Sequence, residues 1–329
     1  MLELSKRDEA FFEMVVKFKM VSYDMAREIY RNKKAIYNRI GKMIDEGILK
    51  KVGWNNITLT ESGARLIEEE YGLKFEPLSN PSMPEMVGRW KNVVRVGFRR
   101  YIMPHFTTCW DLKSESRKQR EQRGKKEISD KNKVLGVAKG YAIFKVSQKA
   151  SMKVLSEMID DIDELVEHDI HRFVILCEGE KLKDFLQVVT KYSTRLRVQA
   201  LHTLPLSESG LQIMDVIIGI PEWKHRIATA VYSNAFPSRN RLFDFEAGGK
   251  LVYIGIDGEM IGKNAVENVL KSSPYRAEIL CLKGQEWRFE GIQANLRTIT
   301  LQEFLNIVGY ESTPSSQPSS QTKLGEMQV

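Results

Sequence analysis

Cysteine is scarce in this chain: Cys109, Cys177 and Cys281 are its three in 329 residues. An odd, scattered set without a CxxC pair excludes a disulfide framework and a cysteine-based zinc site, so these thiols are expected to be small buried hydrophobes. No window holds about 18 uncharged apolar residues, and the opening residues show no apolar core flanked by a small-residue cleavage site. A soluble cytoplasmic protein without a membrane partner is the expectation. No GxSxG elbow occurs, and no internal repeat recurs at a fixed period. The nearest approach to a phosphate loop, residues 255–264, puts Asp257 at the first glycine of a Walker pattern and Asn264 in place of its magnesium-binding hydroxyl. His168 and His171 have no evident third ligand. Neither a cofactor nor a metal nor a catalytic residue is therefore expected.

What is present is enough apolar material for about two domains, 42% of the chain. Three prolines, Pro77, Pro81 and Pro84, mark a break. They suggest a first domain over residues 1–76, a linker over 77–87, and a second domain over 133–310. Residues 311–329 are nearly devoid of apolar side chains and read as a disordered tail. The formal charge is +7, but residues 88–140 alone carry fifteen Lys and Arg against five Asp and Glu, leaving the rest slightly acidic. A local excess of this kind points to a contact surface for an anionic partner. Within it Arg99, Arg100, Arg117, Lys118, Arg120, Arg123, Lys125 and Lys126 are the candidate phosphate contacts.

The first 71 residues read as three helices, a hairpin and a fourth helix. Ser22 and Asn32 are suited to cap the second and third helices. The third, over residues 33–46, gathers Ile36, Ile40, Met43 and Ile44 into one stripe and stops at Gly47. Lys34, Asn38, Gly41 and Lys42 fall opposite. Apolar runs at 48–52 and 57–59 flank Gly53-Trp54-Asn55-Asn56, a tight-turn composition. This order is that of a winged helix-turn-helix, in which such a helix enters the major groove of double-stranded DNA. Lys33, Lys34, Tyr37, Asn38, Arg39 and Lys42 are the candidate groove contacts, and Trp54, Asn55 and Asn56 the candidate wing. The phrase Leu59-Thr60-Glu61-Ser62-Gly63-Ala64-Arg65-Leu66-Ile67 resembles the segment after the wing in many bacterial winged-helix regulators, where the threonine caps the next helix.

From residue 133 onward, β-branched runs at 141–146, 172–177, 198–201, 214–220, 251–256 and 277–282 read as strands. Segments 149–167, 181–192, 264–271 and 301–308 read as helices. The expected class is thus α+β or α/β, a winged helix-turn-helix followed by a mixed α/β domain with a central sheet. Two weak matches to a metal-dependent nuclease trio occur, Asp111-Leu112-Lys113 after a strand at 106–110, and Glu178-Gly179-Glu180-Lys181.

The winged-helix layout, the proline joint, Trp110-Asp111 and the strand Phe173-Val-Ile-Leu-Cys after a long helix resemble the replication-relaxation family of Gram-positive plasmids, phages and integrative elements, over about residues 6–205. The resemblance implies a nuclease-like core carrying Pro-Asp and a Glu-hydrophobic-Asp pair. The corresponding stretches, 133–135 and 143–147, have no acidic residue, which implies an assembly or binding domain. The reading is a sequence-specific DNA-binding protein acting in replication initiation or its control. Its partners would be double-stranded DNA, replication or transcription proteins and, as an option, a second copy. The alternatives are a transcriptional regulator with a ligand-binding or dimerising α/β domain, a metal-dependent nuclease or relaxase-like enzyme, and a partner-docking protein that never touches DNA.

Overall fold

The computed structural model describes residues 3–53, 55–123, 126–192, 196–272 and 275–311, and the chain is mixed α+β. It divides into two compact units between Lys91 and Asn92.

The first unit runs α1 (Lys6–Phe18), β1 (Val21–Ser22), α2 (Tyr23–Tyr30), α3 (Lys33–Asp45), β2 (Leu49–Val52), β3 (Asn56–Leu59) and α4 (Glu61–Tyr71). Its caps follow from side chains one turn away: Ser22 accepts from the Met25 amide, Asn32 from Lys34 and Ala35, and Thr60 from Gly63. A three-stranded sheet in the order β1-β3-β2 is antiparallel throughout, with Val21 opposite Ile57 and Leu49 opposite Leu59. Gly53 supplies the positive φ of 62° where β2 turns toward β3. Phe11, Phe12, Val15 and Phe18 of α1 pack with Ile36, Ile40, Met43, Ile57 and Ile67 as the core. The next helix, α5 (Pro84–Gly97), begins inside the expected linker, because proline is tolerated at the first helical position, whose N–H has no helical partner. Trp90 on it is buried, its indole donating to the Phe18 and Met20 carbonyls at 3.1 Å each.

The second unit contains two five-stranded sheets rather than the single central sheet expected. The first is built from β4 (Phe106–Thr108), β5 (Gly136–Ala138), β6 (Tyr141–Val146), β7 (Arg172–Cys177) and β8 (Ala200–Pro205), in that order. Between them run α6 (Cys109–Arg123), α7 (Met152–Val166) and α8 (Lys181–Tyr192), and α9 (Glu208–Gly219) follows. After α10 (Trp223–Val231), the second sheet comprises β9 (Phe236–Pro237), β10 (Phe245–Ala247), β11 (Lys250–Ile254), β12 (Ala277–Leu282) and β13 (Asn295–Ile299). Helix α11 (Met260–Ser272) lies between β11 and β12, and α12 (Leu301–Val308) after β13.

These sheets repeat one topology. In each, the first three strands are antiparallel and the last three parallel. The hairpins β5-β6 and β10-β11 share one register, Ala138 opposite Tyr141 and Ala247 opposite Lys250. Both turn through two residues of positive φ, Lys139-Gly140 and Gly248-Gly249. No fixed-period repeat in the sequence announces this duplication, although Ala138 and Gly140 match Ala247 and Gly249 at the two turns.

Two elements differ from the sequence expectation. Of residues 214–220, read as a strand, 214–219 belong to α9 and Ile220 caps it; the helix is buried on nearly every side, and an apolar run buried all round has no period to tell helix from strand. Residues 109–123 form α6 rather than the end of a strand. The chain leaves β4 at Thr108, whose hydroxyl accepts from the Asp111 amide at 3.4 Å. All three cysteines are buried as expected, and burial pushes the Cys177 thiol up to about 12 and Cys281 up to about 11.

Candidate nucleic-acid interface

Helix α3 is oriented by what its inner side touches. Ile36, Ile40 and Met43 are buried, and α3 packs against α2 and β2. The turn between α2 and α3 is two residues long: Arg31 takes a left-handed conformation at φ 57°, and Asn32 caps the next helix. Lys33, Lys34, Tyr37, Asn38 and Lys42 consequently face solvent. Among the described residues, the side chains of Lys33, Lys34, Asn38 and Lys42 engage no hydrogen bond or ion pair. Tyr37 is 47% exposed and stacks on Tyr23, ring centroids 4.8 Å apart. This face offers three ammonium groups, an amide able to donate and accept, and a phenol, all free to meet an external ligand.

Arg39 does not join them, which corrects its reading as a groove contact. Its guanidinium donates to both oxygens of fully buried Asp8, at 2.9 and 2.5 Å, and to the Glu3 carbonyl. Asp8 also accepts from the Tyr30 hydroxyl at 2.7 Å and closes a capping box with Ser5. Burial alone would raise the Asp8 carboxyl; the bonds from Arg39, Ser5 and Tyr30 outweigh it and hold the group below the usual carboxylate value. The pair fastens α3 to α1, so Arg39 positions the helix.

At the hairpin, Asn55 is exposed, Asn56 is half-buried in β3, and Trp54 lies outside the described residues. Sequence reasoning missed Lys50 and Lys51, both exposed on β2 between buried Leu49 and Val52. The signal was present, two adjacent lysines between apolar anchors in a strand too near the edge to hide either face.

In the second unit most of the expected phosphate contacts are already neutralised. Arg99 is turned inward, donating to Glu208 at 2.9 Å and to the Tyr310 hydroxyl at 3.0 Å, with Asp215 at 4.0 Å. Arg100 pairs with Glu311 at 2.5 Å. Arg117 bridges Glu127 at 3.0 Å and Asp130 at 2.6 Å, Arg120 meets Glu127 at 2.9 Å, and Lys126 meets Glu167 at 3.1 Å. The corrections have two sources: Glu127 and Asp130, the patch's own acidic minority, fold onto Arg117 and Arg120, while Glu167, Glu208, Asp215 and Glu311 reach it from outside. Each exposed pair is worth little in stability, but an arginine engaged with two carboxylates has little charge left for phosphate. Lys118 is exposed on α6, Arg123 ends that helix, and Lys125 lies outside the described residues.

The nuclease-like trios are not assembled. Asp111 accepts from the Thr108 hydroxyl, while Lys113 is buried and donates to the Asp130 and Asn132 carbonyls. Glu178 pairs with Lys145 at 2.7 Å and Lys181 with Asp184 at 2.7 Å. Among the described residues no group of three His, Cys, Asp or Glu could hold a metal ion. At the Walker-like segment, the Glu259 carboxylate accepts from the Ile261 and Gly262 amides and so occupies the helix N-terminus where a phosphate would sit.

A polar cluster, buried at His202, Asp257 and Arg288 and half-buried at Lys224 and Asp244, escaped sequence reasoning. Lys224 lies 2.9 Å from Asp244 and 3.6 Å from Asp257, and Asp257 lies 3.7 Å from His202. Burial works against the Lys224 charge, but Asp257 and Asp244 outweigh it and keep the ammonium charged. Arg288 donates to the Thr203 carbonyl at 2.9 Å and to the Gly258 carbonyl at 3.2 Å. These residues are dispersed from 202 to 288, and the contacts fasten one sheet to the other.

The chain matches no protein-family model, and neither a curated protein nor a solved structure is significantly similar to it. Among the described residues no helix is long and apolar enough to cross a membrane.

Proposed function

We propose that the first unit is a winged helix-turn-helix that binds double-stranded DNA through α3, with β2 and β3 as its wing. The observation that carries the reading is the outer face of α3, where Lys33, Lys34, Asn38 and Lys42 are exposed and unengaged; β2, on which α3 packs, adds exposed Lys50 and Lys51. Asn38 suits a bidentate contact to adenine, Lys34 and Lys42 suit guanine or phosphate, and the strand lysines suit the adjacent backbone. The paired arginines of α6 contribute little. By resemblance, the protein would serve replication or its control in a mobile element, with transcriptional regulation as the second role; where its sites lie in the native genome decides between them.

The test selects bound duplexes from a random library and then measures affinity by fluorescence anisotropy against salt. Five lysines meeting phosphates give a slope of log K on log salt of roughly −4. Asn38→Ala should cost about 1 to 3 kcal/mol on the selected site and little on random duplex. Lys50→Ala with Lys51→Ala should flatten the salt slope by about 2 on both DNAs. Arg117→Ala with Arg120→Ala should leave both affinities unchanged. An undiminished affinity in the triple variant Lys34→Ala, Asn38→Ala, Lys42→Ala would remove the reading.

A further inference from the structure

The duplicated topology of the second unit leaves one edge strand covered and its counterpart open. Following Cα partners across each sheet from the hairpin turns sets Ala142 with Leu251, Phe173 with Ala277, and His202 with Asn295. The same alignment brings the helix caps Ser207 and Thr300 into register, an independent check on it. Thr203 of β8 is therefore equivalent to Leu296 of β13.

Their surroundings differ completely. The loop between β11 and α11 seats on the outer edge of β8: the Thr203 amide donates to the Gly258 carbonyl at 3.1 Å, and the Leu201 amide to Glu259 at 3.1 Å. His202 and Glu259 form a β-bridge, α11 packs against β8, and Thr203 is fully buried. On β13, Asn295, Leu296, Arg297 and Thr298 are all exposed, Leu296 at 42%. An unbulged five-residue edge with an outward leucine and no proline is an open template for pairing.

The element that would fill it exists in the first repeat. Met260, the first residue of α11, is 4% exposed; Met152, the first residue of α7, is 52% exposed, and of the residues before it Ser147, Gln148, Lys149 and Ser151 are exposed while Ala150 is buried. The first repeat thus presents an unused counterpart of the loop and helix start that cover β8, and the second presents an unused counterpart of β8. Among the described residues β13 pairs with β12 alone and does not meet that loop within the chain; a second copy can bring the two together.

We propose that β13 of one copy receives the β6-α7 loop and the first turn of α7 of a second copy, as β8 receives the β11-α11 loop within the chain. The contact is heterologous, so copies join head to tail and continue beyond two unless the rotation closes a ring.

The experiment is sedimentation velocity on the full chain, free of nucleic acid, over a range of concentrations. Wild type should show a weight-average mass that climbs past the dimer with concentration. Leu296→Asp removes the receiving edge and Met152→Asp the inserted helix start; both positions are exposed, and each variant alone should remain monomeric. Mixed in equal amounts, they should form a dimer that grows no further, because Leu296→Asp retains the insert and Met152→Asp the edge. Monomeric wild type, self-association of either variant, or a mixture that stays monomeric would each overturn the proposal. The triple variant on α3 should assemble as wild type does, so failure of the DNA reading and failure of this one are told apart.

Discussion

Replacing Asp8 by Ala removes the acceptor on which α1, α2 and α3 converge. The carboxylate is fully buried and receives Arg39, the Tyr30 hydroxyl, and the Ser5 amide and hydroxyl. Deleting one member of a buried ion pair costs about 3 to 5 kcal/mol. The Arg39 side chain is 23% exposed and recovers some hydration, which puts the loss near the lower limit. Loss of the Ser5 capping box adds about 1 kcal/mol, for a total of about 4. With a urea dependence of about 1 kcal/mol per molar for a unit of this size, the midpoint should fall by about 4 M. Hydrogen exchange read by mass spectrometry along a urea series separates the two units. Amides of α1 and α3 should lose protection while those of β6 and β7 keep it, and, under the proposed function, DNA affinity should fall with α3. Protection in α1 and α3 within about 1 kcal/mol of wild type would show that Asp8 does not hold these helices, and would return Arg39 to the candidate DNA contacts.

Two further outcomes concern acid and packing. Asp215 is fully buried, and its carboxyl is raised to about 6 by burial, only partly offset by Arg99, the Tyr310 hydroxyl and the Tyr101 amide. Its folded value lies above its unfolded one, so its contribution is complete below about pH 4 and is lost as pH rises through about 6, roughly 3 kcal/mol over that window. Asp8 has the opposite sign, its contribution present above about pH 4 and lost below it as the lowered carboxyl protonates. Chemical denaturation of the second unit at several pH values should show the Asp215 slope, and Asp215→Asn should abolish it; an unchanged slope in the variant assigns it elsewhere. Gly63→Ala should destabilise the first unit by more than about 2 kcal/mol, because a Cβ there would stand 2.0 Å from the Ile48 carbonyl oxygen, part of the backbone. Calorimetry checks this, and an unchanged midpoint would mean that α4 shifts freely on the sheet.

Sequence alone determined what depends on neighbours within one or two turns. The caps Ser22, Asn32 and Thr60 act on amides two or three residues ahead, and the apolar stripe of α3 sends Lys34, Asn38 and Lys42 outward whatever the rest of the chain does. Hydrophobic burial likewise placed the cysteines. Tertiary structure decided everything that needed a distant partner. Arg39 lies 31 residues from Asp8 and Arg99 lies 109 from Glu208, so no local pattern separates these positioning arginines from free ones. The apolar run in α9 is buried on all sides, which erases the period that distinguishes helix from strand. The duplication forms no evident repeat because many equivalent positions, such as Thr203 and Leu296, answer to opposite surroundings, one covered and one open. A strand's fold is fixed by its register and its two neighbours, whereas its side chains follow whether a third element covers it, and that is settled only when the whole unit has come together.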